Sequence, residues 1–141
     1  MKVTGLNGRE YAWNLTSYNV DANDKRKRSK YHVRARNVLK QIFHSYRILE
    51  EVKLPGSTQS HRKGVLFLDF LIPQISLAVE VHGKQHYEYT PFFHKNKAEF
   101  AIAQAKDEDK IAWCELNKID IIVLKYSDTD ETWRDQIENG E

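Results

Sequence analysis

The chain has 141 residues and a mass of 16.6 kDa, 40% hydrophobic and 30% charged, enough apolar mass for one core and too little length for two. An aromatic content of 11% excludes wholesale disorder, a single cysteine excludes an internal disulfide framework or a cysteine-built zinc module, and no apolar run reaches the ~18 residues of a membrane helix. The net charge of +2 hides a cancellation: nine Lys or Arg and no acid lie between Lys25 and Arg47, while six carboxylates and one arginine lie between Asp128 and Glu141. With no apolar leader at the start and so little cysteine, a reducing, cytoplasmic setting is expected.

In chain order, Gly5-Leu6-Asn7-Gly8 predicts a small hairpin leading into alternating Tyr11, Trp13 and Leu15. Residues 1–29 read as an N-terminal arm with a basic stretch, and residues 30–141 as the folded domain. Tyr31–Phe43 reads as a basic amphipathic helix with Val33, Leu39, Ile42 and Phe43 toward the core. Arg47–Leu54 is a strand that stops at Pro55-Gly56, and Ser57–Gly64 is a polar, basic loop. Val65–Ile72 and Ile75–Val81 are short apolar runs split by Pro73-Gln74, which predicts a hairpin of buried strands. A long helix follows over Lys97–Asn117, with Phe100, Ala103, Ile111, Cys114 and Trp113 as its apolar side. Ile119–Tyr126 is another strand, and Thr129–Ile137 a terminal helix capped by Asp128 or Thr129. The order α-β-β-β-α-β-α places the chain in the α/β class, a mixed sheet flanked by helices.

Two acids interrupt strands that should be buried: Asp69 within Leu66–Ile72 and Glu80 within Leu77–Val81. A buried carboxylate needs a partner, a proton or a metal. In a hairpin around Pro73-Gln74 the two lie about equally far from the turn and converge unless strand alternation sends one to solvent. A hard divalent cation, Mg²⁺ or Mn²⁺, suits such a pair. The segment Val81-His82-Gly83-Lys84-Gln85-His86-Tyr87 follows at once. His82 and His86 can move protons near neutral pH, Lys84 can stabilise charge on a phosphoryl oxygen, and Gln85 adds an amide. Gly83 lets the chain bend and brings the backbone close to a ligand.

These residues resemble the PD-(D/E)XK nuclease superfamily over roughly residues 30–126, with Asp69 and Glu80 at its two acidic positions and His82 where it usually carries lysine. Glu80-Val81-His82-Gly83-Lys84-Gln85-His86 is similar to the Glu-x-(Asp/His)-Gly-x-x-His signature of very-short-patch-repair-like endonucleases and related phage homing endonucleases. The Gln104, Asp107, Lys110, Cys114 helix and the strand after it are similar too. The resemblance implies a restriction-endonuclease-like fold, Mg²⁺ at Asp69, Glu80 and the Val81 carbonyl, His86 as general base and Asp107 supporting it. It also implies a bacterial or phage-infected cell as the setting. Many relatives carry a metal-linked Glu on the first helix; residues 31–43 hold no carboxylate, leaving Glu50 or Glu51 on the next strand as substitutes.

The activity expected is Mg²⁺-dependent hydrolysis of phosphodiester bonds in DNA, probed first as duplex. Lys25, Arg26, Lys27, Arg28, Lys30, Arg34, Arg36, Lys40, Arg62 and Lys63 would hold its backbone. The alternatives are a non-catalytic DNA-binding module on a nuclease fold, and a structure-specific resolvase of branched DNA, which requires a homodimer. Asp107 alone also reads as part of a solvated acidic face with Glu108 and Asp109, Lys110 pairs either with helix carboxylates or with phosphate, and Cys114 reads as core.

Overall fold

The apolar runs on either side of Pro73 become the central antiparallel pair of a four-stranded sheet, in a computed structural model that describes residues 1–16, 29–59, 64–90, 94 and 96–139. The elements are β1 (Lys2–Thr4), β2 (Glu10–Ala12), α1 (Lys30–Ile42), β3 (Leu49–Leu54), β4 (Leu66–Ile72), β5 (Leu77–His82), α2 (Lys97–Leu116), β6 (Asp120–Lys125) and α3 (Asp130–Glu138). Sheet order is β3-β4-β5-β6, antiparallel except for the parallel β5–β6 pair that α2 connects. The expected mixed α/β architecture and its element order are therefore what the chain adopts.

Each boundary has a local cause. Ser29 caps α1 by accepting from the His32 amide, Asn96 caps α2 through the Glu99 amide, and Thr129 caps α3 through the Thr132 amide. Pro73 opens a single 3₁₀ turn, and Ser76, left-handed at φ 49°, returns the chain into β5. At the N-terminus Gly8, at φ 82°, closes the small β1–β2 hairpin.

Two apolar clusters lie on the two sides of the sheet. Ala35, Val38 and Leu39 of α1 and Trp133 and Ile137 of α3 pack on Phe70, Val79, Ile122 and Leu124. On the other side Trp113 and Cys114 of α2, with Val3 and Trp13 from the hairpin, pack on Leu49, Val52, Leu68 and Ala78. Trp13 and Trp113 meet edge-to-face at 5.1 Å, and their indoles donate to the Lys53 and Pro55 carbonyls. Asn117 fastens the hairpin by accepting from the Thr4 amide and donating to the Thr4 carbonyl. Within residues 1–16, read from sequence as part of an arm, Val3 and Trp13 are thus packed into the core.

Two helix faces differ from the sequence reading. α1 buries His32, Ala35, Val38 and Leu39, while Val33, expected inside, is 38% exposed. Rotating the stripe seats His32 against Phe70 (ring centroids 4.5 Å apart) and beside Glu50, which a valine-centred face does not do. α2 inserts only Trp113 and Cys114; Ile111 is surface-exposed and Ala103 half-buried. Ala103, Lys106, Asp107 and Lys110 of α2 line a cleft.

Candidate active site

The β4–β5 ladder pairs Phe70 with Val79, Leu71 with Ala78 and Ile72 with Leu77, which makes Asp69 and Glu80 the next pair in register. There the carboxylates replace the ladder. The Asp69 amide donates to Glu80 Oε2 (2.6 Å) and the Val81 amide donates to Asp69 Oδ2 (2.9 Å). Backbone donors are satisfied by side chains instead of carbonyls, and regular pairing ends at the two acids.

A second irregularity sits alongside. On β3 Leu49 and Val52 share one core cluster, and on β4 so do Leu68 and Leu71, a spacing that breaks strict alternation on both strands at the matched positions Glu51 and Asp69. Glu51 takes φ 51°, a left-handed conformation unfavourable for a residue with a Cβ and the kind of strain that collects at functional positions. The outcome is a cleft of about 460 Å³ lined by Glu51, Asp69, His86, Lys106, Asp107 and Lys110, among others.

Ala78 in the hairpin-side cluster and Leu77 and Val79 in the other fix β5's alternation, so Glu80 and His82 face α2. Lys110 reaches down from α2 and bonds Glu80 Oε1 at 2.6 Å. Burial pushes the Glu80 carboxyl upward, Asp69's charge adds to this, and Lys110 opposes both. Burial is the largest single influence on Lys110 and acts against its charge, but the attraction of Glu80, Asp69 and Asp107 and the bond to Glu80 together outweigh burial and raise its pKa. Both Glu80 oxygens accept bonds, one from an ammonium and one from an amide, yet burial and the Asp69 charge prevail and hold its carboxyl up at about 8.

One turn of α2 before Lys110, Asp107 meets the Gly-His segment. His86 Nδ1 lies 2.8 Å from Asp107 Oδ2, and His82 Nε2 3.8 Å from Asp107 Oδ1. The two imidazoles stack at 4.0 Å with planes 8° apart, because the 3₁₀ turn Lys84–His86 folds His86 back over the end of β5. Burial holds His82 far below the ordinary histidine range, down to about 4, and the neighbouring His86 works in the same direction. A carboxylate can only accept, so His86 presents N–H from Nδ1 to Asp107, which directs Nε2 away from that bond.

Asp69, Glu80, His82, His86 and Asp107 are therefore brought together, with Val81 joined through its amide. Lys84 is not: it is exposed and faces Glu88 at 3.6 Å. Gln85 is half-buried and lies on Gly83, where a Cβ would come within 2.6 Å of Gln85 Oε1. Gly83 itself has ordinary extended backbone (φ −78°), so close packing by Gln85, not a sharp bend, is what a side chain there would disturb.

Of the basic residues expected to hold phosphate, Lys30 and Lys40 are exposed on α1. Arg34 instead bonds Asp130 and the Asp128 carbonyl and lies 3.7 Å over the Trp133 ring, pinning α1 to α3. Arg36 bonds both oxygens of Glu50 at 2.7 and 2.8 Å. Lys25, Arg26, Lys27, Arg28, Arg62 and Lys63 lie outside the described residues. Glu50, one of two substitutes for the helix carboxylate, is buried in this Arg36–His32 cluster; only Glu51 reaches the cleft. Lys106 lines the cleft without a sequence expectation, and Lys110 pairs with Glu80 of β5 rather than with a helix carboxylate or phosphate; the spacing Lys106, Asp107, Lys110 along one helix is the signal for both. Cys114 is buried in the core with its thiol pushed up to about 12 by burial, which removes it as a nucleophile.

Carboxylate oxygens of Asp69 and Glu51 line the cleft and suit a hard cation such as Mg²⁺, with Glu80 beside them engaged by Lys110 and the Asp69 amide. Among the described residues no helix is long and apolar enough to cross a membrane. No family model matches the chain, and no solved structure matches it. It is 40% identical over 76 residues to uncharacterized protein 307L of Invertebrate iridescent virus 6, covering 54% of this chain and 39% of that protein. It is likewise 40% identical over 62 residues to uncharacterized protein 033L of Invertebrate iridescent virus 3, covering 44% of this chain and 32% of the relative. The aligned part thus spans well under half the length of either viral relative.

Proposed function

We propose that the chain is a metal-dependent endonuclease that hydrolyses phosphodiester bonds in DNA. The observation that carries this reading is the His86–Asp107 hydrogen bond facing Asp69 in one cleft, where the β4–β5 pairing ends on two carboxylates. Asp69 and Glu80, with the Val81 carbonyl, would hold Mg²⁺ or Mn²⁺, which would supply Lewis-acid polarisation of the scissile phosphate. His86 takes a proton from the attacking water at Nε2, while Asp107 holds its Nδ1–H and orients the ring. Lys110 keeps Glu80 in place, and Lys106 at the rim meets phosphate charge. Lys30 and Lys40, with the basic stretches outside the described residues, hold the sugar-phosphate backbone. The substrate is duplex DNA, the setting is the reducing cytoplasm of a virus-infected or bacterial cell, and a homodimer is required only for paired cuts.

One observation favours a second reading, a DNA-binding module without catalysis: both Glu80 oxygens are already engaged by Lys110 and the Asp69 amide. A plasmid-nicking assay separates the two. Nicking that needs Mg²⁺, stops with EDTA and is lost in Asp69→Ala while DNA binding persists supports the nuclease. Wild-type cutting by Asp69→Ala refutes the metal assignment, and binding without cutting in any divalent metal leaves the module.

A further inference from the structure

We propose that His82, His86 and Asp107 form a binding site for a transition-metal dication of the Zn²⁺ or Co²⁺ class, distinct from the hard-oxygen position at Asp69. One donor atom from each of these residues lies within 4.8 Å of the other two. His82 gives the arrangement its meaning. Its side chain is 9% exposed, and its Nε2 lies 3.8 Å from Asp107 Oδ1, too long for a hydrogen bond. A ring nitrogen held at that distance from a carboxylate oxygen, with no hydrogen bond between them, leaves a gap that an ion bound to both would fill. It is close to what two ligands of one ion require.

With Zn–N and Zn–O bonds of about 2.0–2.1 Å, tetrahedral ligands sit roughly 3.3 Å apart. The 3.8 Å His82 contact and the 2.8 Å His86 contact run to the two different oxygens of Asp107, so closing on one ion takes a small turn of the carboxylate that brings a single oxygen to both rings. The stacked imidazoles, now 8° from parallel, must also tilt so that their in-plane lone pairs converge. Two imidazoles and a carboxylate leave a fourth position for water, and imidazole nitrogen selects a borderline metal over Mg²⁺. Asp107 and His86 come from different elements, α2 and the turn after β5, so an ion there ties the helix to the sheet edge. One consequence rests on the nuclease reading: an ion on His86 and Asp107 breaks the pair that handles the proton, so Zn²⁺ inhibits where Mg²⁺ supports cleavage.

The test is a Co²⁺ titration of the full chain in buffer containing excess Mg²⁺, followed by visible ligand-field absorption and reversed with Zn²⁺. The expected result is one equivalent of Co²⁺, an affinity at least tenfold weaker in His82→Gln and Asp107→Asn, and affinity within twofold of wild type in Asp69→Asn. His82→Cys retains a ligand and adds a sulfur-to-metal charge-transfer band, which guards against a variant that fails to fold. Absence of ligand-field absorption, absorption unchanged in His82→Gln, or absorption lost only in Asp69→Asn overturns the site. Co²⁺ binding as expected in a protein that never cuts DNA leaves the site standing and removes the nuclease reading. Zn²⁺-insensitive cleavage together with no Co²⁺ site does the reverse.

Discussion

Replacing Glu50 by glutamine separates a structural carboxylate from the functional ones beside it. Glu50 lies one residue from the strained Glu51 and opposite Phe70, buried against His32 (2.6 Å) and gripped by both arms of Arg36. Burial by itself would raise its pKa, but the bonds from His32 and Arg36 and the Arg36 charge prevail and lower it from 4.5 to about 2. That difference corresponds to about 3 kcal/mol of preference for the ionised form in the folded state. The sign follows: an acid depressed on folding stabilises above its unfolded pKa and loses that contribution as pH falls toward the folded one. Wild type should therefore lose about 3 kcal/mol between roughly pH 5 and pH 2 from this group alone. Glu50→Gln should be less stable by about that amount at pH 7, and the gap should narrow to near zero by pH 2. Urea denaturation across that pH range reads both curves. A gap that stays constant with pH would show that shape rather than charge is what Glu50 contributes. Loss of metal dependence at unchanged stability would put Glu50 among the metal ligands, contrary to its place in the structure.

Lys110→Met should cost about 1–3 kcal/mol by leaving the buried Glu80 carboxyl without its partner, and the Lys110→Met, Glu80→Gln double variant should recover much of it; thermal melts of the four proteins give the coupling. His86→Ala and Asp107→Asn should each slow nicking by about 10²- to 10⁴-fold, with the double variant little worse than His86→Ala, as expected for groups acting as a unit. Full multiplication of the two losses in single-turnover assays would refute a shared role. Arg34→Ala should destabilise the chain by about 1–3 kcal/mol without altering the salt dependence of DNA binding, since its guanidinium joins α1 to α3. Lys40→Ala should leave stability unchanged and, for one lost phosphate contact, reduce the slope of log K against log salt by about 0.9.

Much of the architecture was legible because its determinants are local. Pro73-Gln74 between two apolar runs forces a tight reversal, and the equal distance of Asp69 and Glu80 from that turn puts them in register. The short β-branched run Ile121-Ile122-Val123 after a long helix makes a strand. Ser29, Asn96 and Thr129 hold their helices by bonds that span three residues. The His86–Asp107 contact came only through a family resemblance. Nothing in the spacing of residues 86 and 107 states that the turn after β5 meets the middle of α2.

By itself, the sequence determined that one α/β domain would carry two acids inside apolar strands, followed by a histidine-rich turn, because period, turn chemistry and the cost of burying charge act over a few residues. Only the tertiary structure decided which charges are already spent. Arg34 and Arg36 neutralise acids within the fold, Lys84 stays at the surface, and Lys110 rather than a cation alone faces Glu80. It also decided that alternation breaks at Glu51 and Asp69, opening the cleft. The reason is physical: a side chain's charge is visible in one residue, but whether it is compensated depends on partners tens of residues away that folding brings within 3 Å.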